Sequence, residues 1–353
     1  MARRVRTPII DCDIHNTYTP DILAPFLPAE WRRHQELFGA RGHGGSIYPK
    51  GSPNAARLDA WPPSGRPPGG DLGFMQEQLL DPLGIEYGVL NHLSAAATAL
   101  NPEFSAALSR AVNDWLVAEW LDPEPRLRGS IVTPYEHGEL AAAEVDRVAD
   151  DPRFVQLIFA VRTAEPLGRR KYWPIYEAAQ RHGLPIGIHF GGGARGVPIT
   201  GSGWPSYYLE DHTGMAQAFQ AQVVSYVCEG VFERFPSLQV VLIEGGFAWL
   251  PSLARRLDQH WERLHEEVPH LKRRPSEYIR DHFWVTTQPM EEPHNPPDLL
   301  RVFEHLGGSD RVLFSTDYPH WDFDHPDRAF QTRVPKEMRD GILAGNARKL
   351  YRF

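Results

Sequence analysis

Cysteine is nearly absent: Cys12 and Cys228 are the only two in 353 residues. They are too few and too far apart for a disulfide framework or an all-cysteine zinc site, and both sit in apolar stretches that read as buried thiols. Positive charge is in deficit. Lys and Arg number 37 against 45 Asp and Glu, the formal net charge is -8, and there is no basic run. That excludes the electrostatic footprint of a nucleic-acid binder. No apolar run is long enough to span a membrane. The basic start Met1-Ala2-Arg3-Arg4-Val5-Arg6 is not followed by the apolar segment of a secretory signal, so a cytoplasmic protein is expected. Also missing are a Gly-x-Ser-x-Gly nucleophile turn and a phosphate-binding Gly-x-Gly-x-x-Gly after a strand. No internal repeat or linker divides the chain, and residues 1–353 read as a single domain. The composition is otherwise globular, 42% hydrophobic and 23% charged, but with 16 His and 10 Trp. The histidine positions decide the reading.

The pivotal stretch is Ile9-Ile10-Asp11-Cys12-Asp13-Ile14-His15, an apolar run that turns into Asp-x-Asp-x-His. In a strand, alternate residues share a face, so Asp11, Asp13 and His15 should point the same way. Carboxylates and an imidazole gathered on a buried face call for a divalent metal. A solvated polar strand end is the bland alternative. Residues 16–80 then lack periodicity and are rich in Pro and Gly. Such a segment reads as a lid over the site, with a floppy surface insertion as the bland alternative.

From there short apolar runs alternate with helical spacing. Strands are expected at Tyr87–Asn91, Leu127–Thr133, Phe154–Phe159, Leu184–His189, Leu238–Ile243, Phe283–Thr287 and Arg311–Ser315. Helices are expected between almost all of them, and a last one over Pro335–Lys349. With the first strand this makes eight strand–helix units, which predicts a parallel sheet closed into a (β/α)8 TIM barrel. In such barrels the chemistry sits at the C-terminal strand ends. Here those ends carry Asp13 and His15, then His189, Glu244 and Asp317. Two imidazoles and several carboxylates suit Zn, Fe, Mn or Co.

These motifs resemble the amidohydrolase superfamily, specifically its amidohydrolase-2 branch, which includes the aminocarboxymuconate semialdehyde and resorcylate-type decarboxylases. The resemblance rests on Asp13-Ile14-His15, Gly187-Ile188-His189-Phe190, Glu244-Gly245-Gly246 and Ser315-Thr316-Asp317-Tyr318-Pro319-His320. It implies that Asp13, His15, His189 and Asp317 ligate a metal. Two residues depart from the family pattern. Family members usually carry His-x-His or Glu-x-His where Asp13-Ile14-His15 stands, and a catalytic His where Glu244 stands. A carboxylate is a poor proton donor near neutral pH unless its pKa is raised, but it can bind metal. With His212 and His320 as further ligands, Glu244 would begin a two-metal site. That altered set resembles the amidohydrolase-related dinuclear oxygenases, which implies two Fe or Mn/Fe, dioxygen as co-substrate, and hydroxylation of a small, partly apolar molecule. The alternative is a metal-dependent hydrolase or a non-oxidative decarboxylase of an aromatic or unsaturated carboxylic acid, with zinc or another divalent ion. There Glu244 would act as general base, with His320 and Asp317 in the catalytic set. A homo-oligomer, or a hetero-oligomer with a homologue, is expected.

Trp204, Tyr207, Tyr208, Trp321 and Phe323 fall in loops after the fifth and eighth strands. They either ring the mouth as a substrate wall or simply pack their loops. Arg162 follows the fourth strand and would meet a substrate carboxylate or form an ion pair. His137 is a minor candidate. His260, His265 and His270 read as a solvated face. Gly191-Gly192-Gly193 would let the chain pass close to the metal.

Overall fold

The computed structural model describes residues 7–38, 55–192 and 200–353. The strand runs are built from Ile, Val, Leu and Phe, as expected where both faces of a parallel sheet are covered. β1 spans Ile9–Ile14, β2 Ile85–Leu90, β3 Leu127–Val132, β4 Phe154–Arg162, β5 Ile186–Gly192, β6 Val240–Ile243, β7 Phe283–Thr286 and β8 Val312–Leu313. They pair in parallel and in sequence order, with helices between them, giving the (β/α)8 barrel. Backbone bonds close it between β1 and the segment after β8: Cys12 N donates to Phe314 O (2.9 Å), Asp317 N to Asp13 O (3.1 Å) and His15 N to Tyr318 O (2.7 Å).

Boundaries differ from expectation where tertiary contacts override local pattern. β4 runs three residues further, to Arg162, because it pairs with β5 as far as Gly192. β8 is only two residues long. Beyond it, Asp317 takes a left-handed backbone (φ 61), which ends the strand geometry. The helix expected over 210–232 is Tyr208–Cys228, and Gly230 (φ 74) separates it from a short turn of helix. The closing helix is interrupted by a π-helical turn over Gly341–Gly345.

Residues 16–80 are less irregular than their Pro and Gly content suggests. Pro20 opens a helical turn, Ala29–Phe38 is a helix, and Asp71 caps another turn by accepting from Phe74 N at 3.1 Å. Residues 39–54, within the proposed lid, lie outside the described residues, as does Gly193. The part that is described lies against the C-terminal ends of β1 and β8. Gly69 passes so close to His15 that a Cβ there would sit 2.6 Å from the His15 carbonyl oxygen. Arg57 N donates to Pro319 O (2.9 Å) and Trp321 N to Ala55 O (2.8 Å). Among the described residues no helix is long and apolar enough to cross a membrane. Cys12 is buried and Cys228, expected to be buried, is only partly so.

Candidate metal centre

Five residues from four strand ends converge at the C-terminal mouth. Each of Asp13, His15, His189, Glu244 and Asp317 offers a ligand atom within 4.8 Å of the others, and all five are buried. β1 contributes Asp13 and His15 on the same face. His189 arrives from β5, beside β6, where it registers with Ile243. The next residue, Glu244, turns inward in a left-handed conformation (φ 58), its N–H donating to Thr286 Oγ1 at 3.1 Å. Non-glycine residues rarely hold positive φ, and such strain persists where surrounding structure enforces it. Glu244 and Asp317 are two of the four non-glycine cases among the described residues. Gly246 follows with φ 63, and a Cβ there would collide with the Glu291 carboxylate, which accepts from Phe247 N and Ala248 N.

The hydrogen bonds decide which imidazole nitrogens are available. His15 Nδ1 lies 2.8 Å from Asn91 O, and His189 Nδ1 lies 2.7 Å from Phe190 O. A carbonyl only accepts, so both Nδ1 atoms carry hydrogen, and each Nε2 faces inward as the atom that takes up a proton or a metal. There they face oxygen rather than donors. His15 Nε2 is 3.0 Å from Asp317 Oδ1 and 3.4 Å from Asp13 Oδ1. His189 Nε2 is 3.2 Å from Asp13 Oδ2 and 3.4 Å from Glu244 Oε2. A lone pair turned on a carboxylate is repelled unless a proton or a metal ion lies between them. Among the described residues, Glu244 Oε2 and Asp317 Oδ2 are also buried without a hydrogen-bond partner, a costly state for charged oxygen. This donor set fits a divalent metal ion.

The charges point the same way. Burial, then Asp317, Asp322 and Asp13, push the Glu244 carboxyl well above its usual range. Burial lowers the His15 imidazole, but Asp13 and Asp317 more than reverse this and raise it to about 9. Protons thus take the place of a cation when no metal is bound. Asp317 is also penalised by burial, yet His320 and His15 hold it well below the usual carboxylate range.

Asp11, expected on the same face, is not in the group. Its carboxylate accepts from Thr316 N (3.0 Å) and Thr316 Oγ1 (2.6 Å), bolting β1 to the segment after β8. His320 does not join Glu244 as expected; its Nδ1 donates to Asp317 Oδ1 at 2.7 Å. His212 does approach Glu244, at 3.9 Å from Oε1, and its other neighbour is Asp322 Oδ2 at 3.5 Å. His212, Glu244 and Asp322 form a second potential ligand group sharing Glu244 with the first. Sequence reasoning missed Asp322 because nothing marks a loop aspartate as inward-facing. It also missed Asn91, which holds Asp13 through Nδ2 (2.8 Å) and His15 through its carbonyl. Asn91 Oδ1 is fixed in turn by Ser130 Oγ and Gln156 Nε2.

Of the aromatic candidates, Tyr208 and Trp321 pack against His212, each with ring centroids 5.6 Å away. Phe190 joins them at 4.9 Å. Trp204 and Tyr207 are mostly exposed. Phe323 packs under Arg57 instead. Arg162 is committed to Asp211, with a 2.6 Å bond between two nearly buried side chains, and its buried Nε has no partner among the described residues. His137 precedes the helix Gly138–Val148 and is not among the grouped ligands, and His260, His265 and His270 are exposed.

Comparison with known proteins gives the family and the fold. Gamma-resorcylate decarboxylase of Polaromonas sp. strain JS666 is 28% identical over 299 residues, 80% of this chain and 88% of that protein. A dihydroxybenzoic acid decarboxylase structure from Polaromonas sp. JS666, with bound manganese and the inhibitor 2-nitroresorcinol, superposes with a TM-score of 0.68 at 23% identity, covering 98% of this chain and 97% of that one. The 5-carboxyvanillate decarboxylase of Novosphingobium aromaticivorans, complexed with manganese and 4-hydroxy-3-methoxy-5-nitrobenzoic acid, gives 0.71 at 19% identity over 98% and 96% of the two chains. At these identities the two structures speak for the fold. The amidohydrolase family model matches residues 10–353, nearly the whole chain, and the protein therefore belongs to the amidohydrolase family.

Proposed function

We propose that this protein is a divalent-metal-dependent carboxy-lyase that releases CO2 from a small aromatic or unsaturated carboxylic acid without oxidising it. The observation that carries this reading is the buried group of Asp13, His15, His189 and Asp317 at the barrel mouth. Support comes from the decarboxylase relatives, two of whose structures hold manganese. These four side chains would hold the ion, with Glu244 beside them. When bound, the ion supplies positive charge that orients and polarises a substrate oxygen.

The chain's own residues would do the rest. Phe190, Tyr208 and Trp321 around His212 offer ring faces for an aromatic substrate. Arg162 stands at the end of β4, where its guanidinium, held by Asp211, is assigned to meet a substrate carboxylate. In the reaction the bond from ring carbon to carboxylate breaks, CO2 leaves, and the electron pair stays on the carbon, which takes up a proton. His320, oriented by Asp317, is assigned to carry that proton.

A second reading is oxygen-dependent hydroxylation at a pair of Fe or Mn/Fe ions. It is favoured by one observation, that Glu244 turns its two oxygens toward different histidines. Incubating the manganese-loaded protein with a panel of hydroxybenzoates, with and without oxygen, separates the two. CO2 release that continues anaerobically is the expected result. Turnover that stops without oxygen and consumes it stoichiometrically would transfer the assignment to the oxygenase.

A further inference from the structure

We propose that Tyr351, at the opposite end of the barrel from the metal group, is a positioning residue for it. Its hydroxyl starts a buried hydrogen-bond relay through Gln156 and Asn91 that fixes the Asp13 carboxylate. This rests on the reading that Asp13 helps to hold the ion. Tyr351 lies on the helix Asn346–Tyr351, which sits under the N-terminal strand ends. Asn346 Nδ2 donates to Val312 O at the start of β8 (2.7 Å), and Arg348 pairs with Glu86 near the start of β2. In TIM barrels that end serves stability, and the chemistry sits at the other. Here a line of polar side chains joins the two.

Tyr351 donates its hydroxyl hydrogen to Gln156 Oε1 at 2.8 Å. Gln156 Nε2 donates to Asn91 Oδ1 (2.9 Å) and to Ser130 Oγ (3.0 Å), and Ser130 Oγ donates to Asn91 Oδ1 (2.6 Å). Asn91 Nδ2 completes the line by donating to Asp13 Oδ1 at 2.8 Å. Ser130 and Gln156 are register partners on β3 and β4, and Asn91 follows β2. These three side chains are fully buried and Tyr351 nearly so. Packing alone does not call for such a line. Barrel interiors are filled by branched apolar side chains, and buried polar groups gain little over them in stability. What a fully satisfied network adds is one fixed orientation.

The direction of the relay is forced from the metal end. Asn91 Nδ2 also donates to Cys12 O at 3.1 Å. A carbonyl only accepts, so the amide nitrogen of Asn91 must face it, and Oδ1 must face Ser130 and Gln156. Asn91 Oδ1 in turn requires the amide nitrogen of Gln156. That leaves Gln156 Oε1 for Tyr351, whose hydroxyl has to donate. Burial, then Cys12 and Asp13, push the Tyr351 phenol well above its usual range, so it keeps that hydrogen. Every link thus presents its hydrogen toward Asp13. Aligned hydrogen bonds polarise one another. The last one holds Asp13 Oδ1 while Asp13 Oδ2 faces His189 Nε2 at 3.2 Å.

The test is a double-mutant cycle on manganese affinity in the full chain, read by chelator competition with melting temperatures to show that each variant is folded. Tyr351→Phe removes one hydroxyl, and Gln156→Met removes both links at nearly constant volume. Tyr351→Phe should weaken Mn2+ affinity about 5-fold and Gln156→Met about 10-fold, at the lower edge of what the outer partners of metal ligands contribute. In the Gln156→Met background Tyr351→Phe should change nothing further, because its route to Asp13 is already cut. A hydroxyl with a purely structural role would lower the melting temperature and leave the affinity of the folded protein unchanged, and that result from Tyr351→Phe alone overturns the proposal. Effects that multiply in the double variant also overturn it, since Tyr351 would then act by another path. Either outcome leaves the carboxy-lyase reading standing. A wild-type protein that binds no manganese overturns both.

Discussion

The inner and outer halves of the barrel mouth are built differently. The inner half consists of Asp13, His15, His189 and Asp317, all buried, set on strands or on the segments that follow them and braced by backbone carbonyls and by Asn91. The outer half consists of His212, Asp322, Tyr208 and Trp321, carried on a helix and a loop and partly open to solvent. Glu244 lies between them. Strands fix a side chain within a fraction of an ångström, whereas loop positions depend on what packs behind them. The inner half is thus suited to hold an ion permanently, and the outer half to vary with substrate.

Breaking the inner half should have the largest effect. Asp317→Ala or Asp13→Ala should abolish tight metal binding, measured by elemental analysis, and lower kcat/KM by about 10³-fold. Next comes the footing of the outer half. Asp211→Ala leaves the nearly buried Arg162 guanidinium without its partner and should cost about 3 kcal/mol in denaturant unfolding. If it costs nothing, Arg162 is not held by this pair and the outer half stands independently of β4.

Asn91→Ala keeps every inner ligand but removes the amide that orients Asp13. It should weaken metal affinity by about 10–100-fold in a chelator competition. No change would mean that the strand alone positions Asp13. The pH response follows from His15. In the metal-free protein its pKa is raised from 6.5 to about 9. A histidine raised on folding contributes stability that is fully present below pH 6.5 and lost as pH climbs through about 9. Metal must displace that proton, so apparent metal affinity should rise across the same window. A flat affinity profile would show that His15 does not ligate. The smallest effect is expected from Trp321→Ala. It removes one ring from the outer wall and should raise KM a few-fold, worth about 1 kcal/mol, with bound metal unchanged.

Much of the inner half was legible because its residues interrupt apolar runs. A polar residue at the end of Ile-Ile or Val-Val-Leu-Ile stands out, and the two-residue period of a strand puts Asp13 and His15 on one face. The same period misled for Asp11, which engages Thr316 rather than the group, since parity gives the face but not the depth along the barrel axis. Asn91 stood at an expected strand end but carries no charge to draw notice. Asp322 is one of several acidic residues in an irregular loop, and only Gln288 and His212, distant in sequence, select it. His320 was expected beside Glu244. The turn at Asp317 instead brings its ring back onto that carboxylate three residues earlier.

By itself the sequence determined the eight strand–helix units, the order in which they pair and the identity of the residues at their polar ends. These depend on local propensity and on periods of two and 3.6 residues, which any short window contains. Tertiary structure decided which of those ends meet. It twisted Glu244 and Asp317 into left-handed conformations, paired Arg162 with Asp211 across 49 residues, and brought Asp322 to His212. Those outcomes rest on contacts between residues far apart in the chain, where burial and unsatisfied charge outweigh local preference.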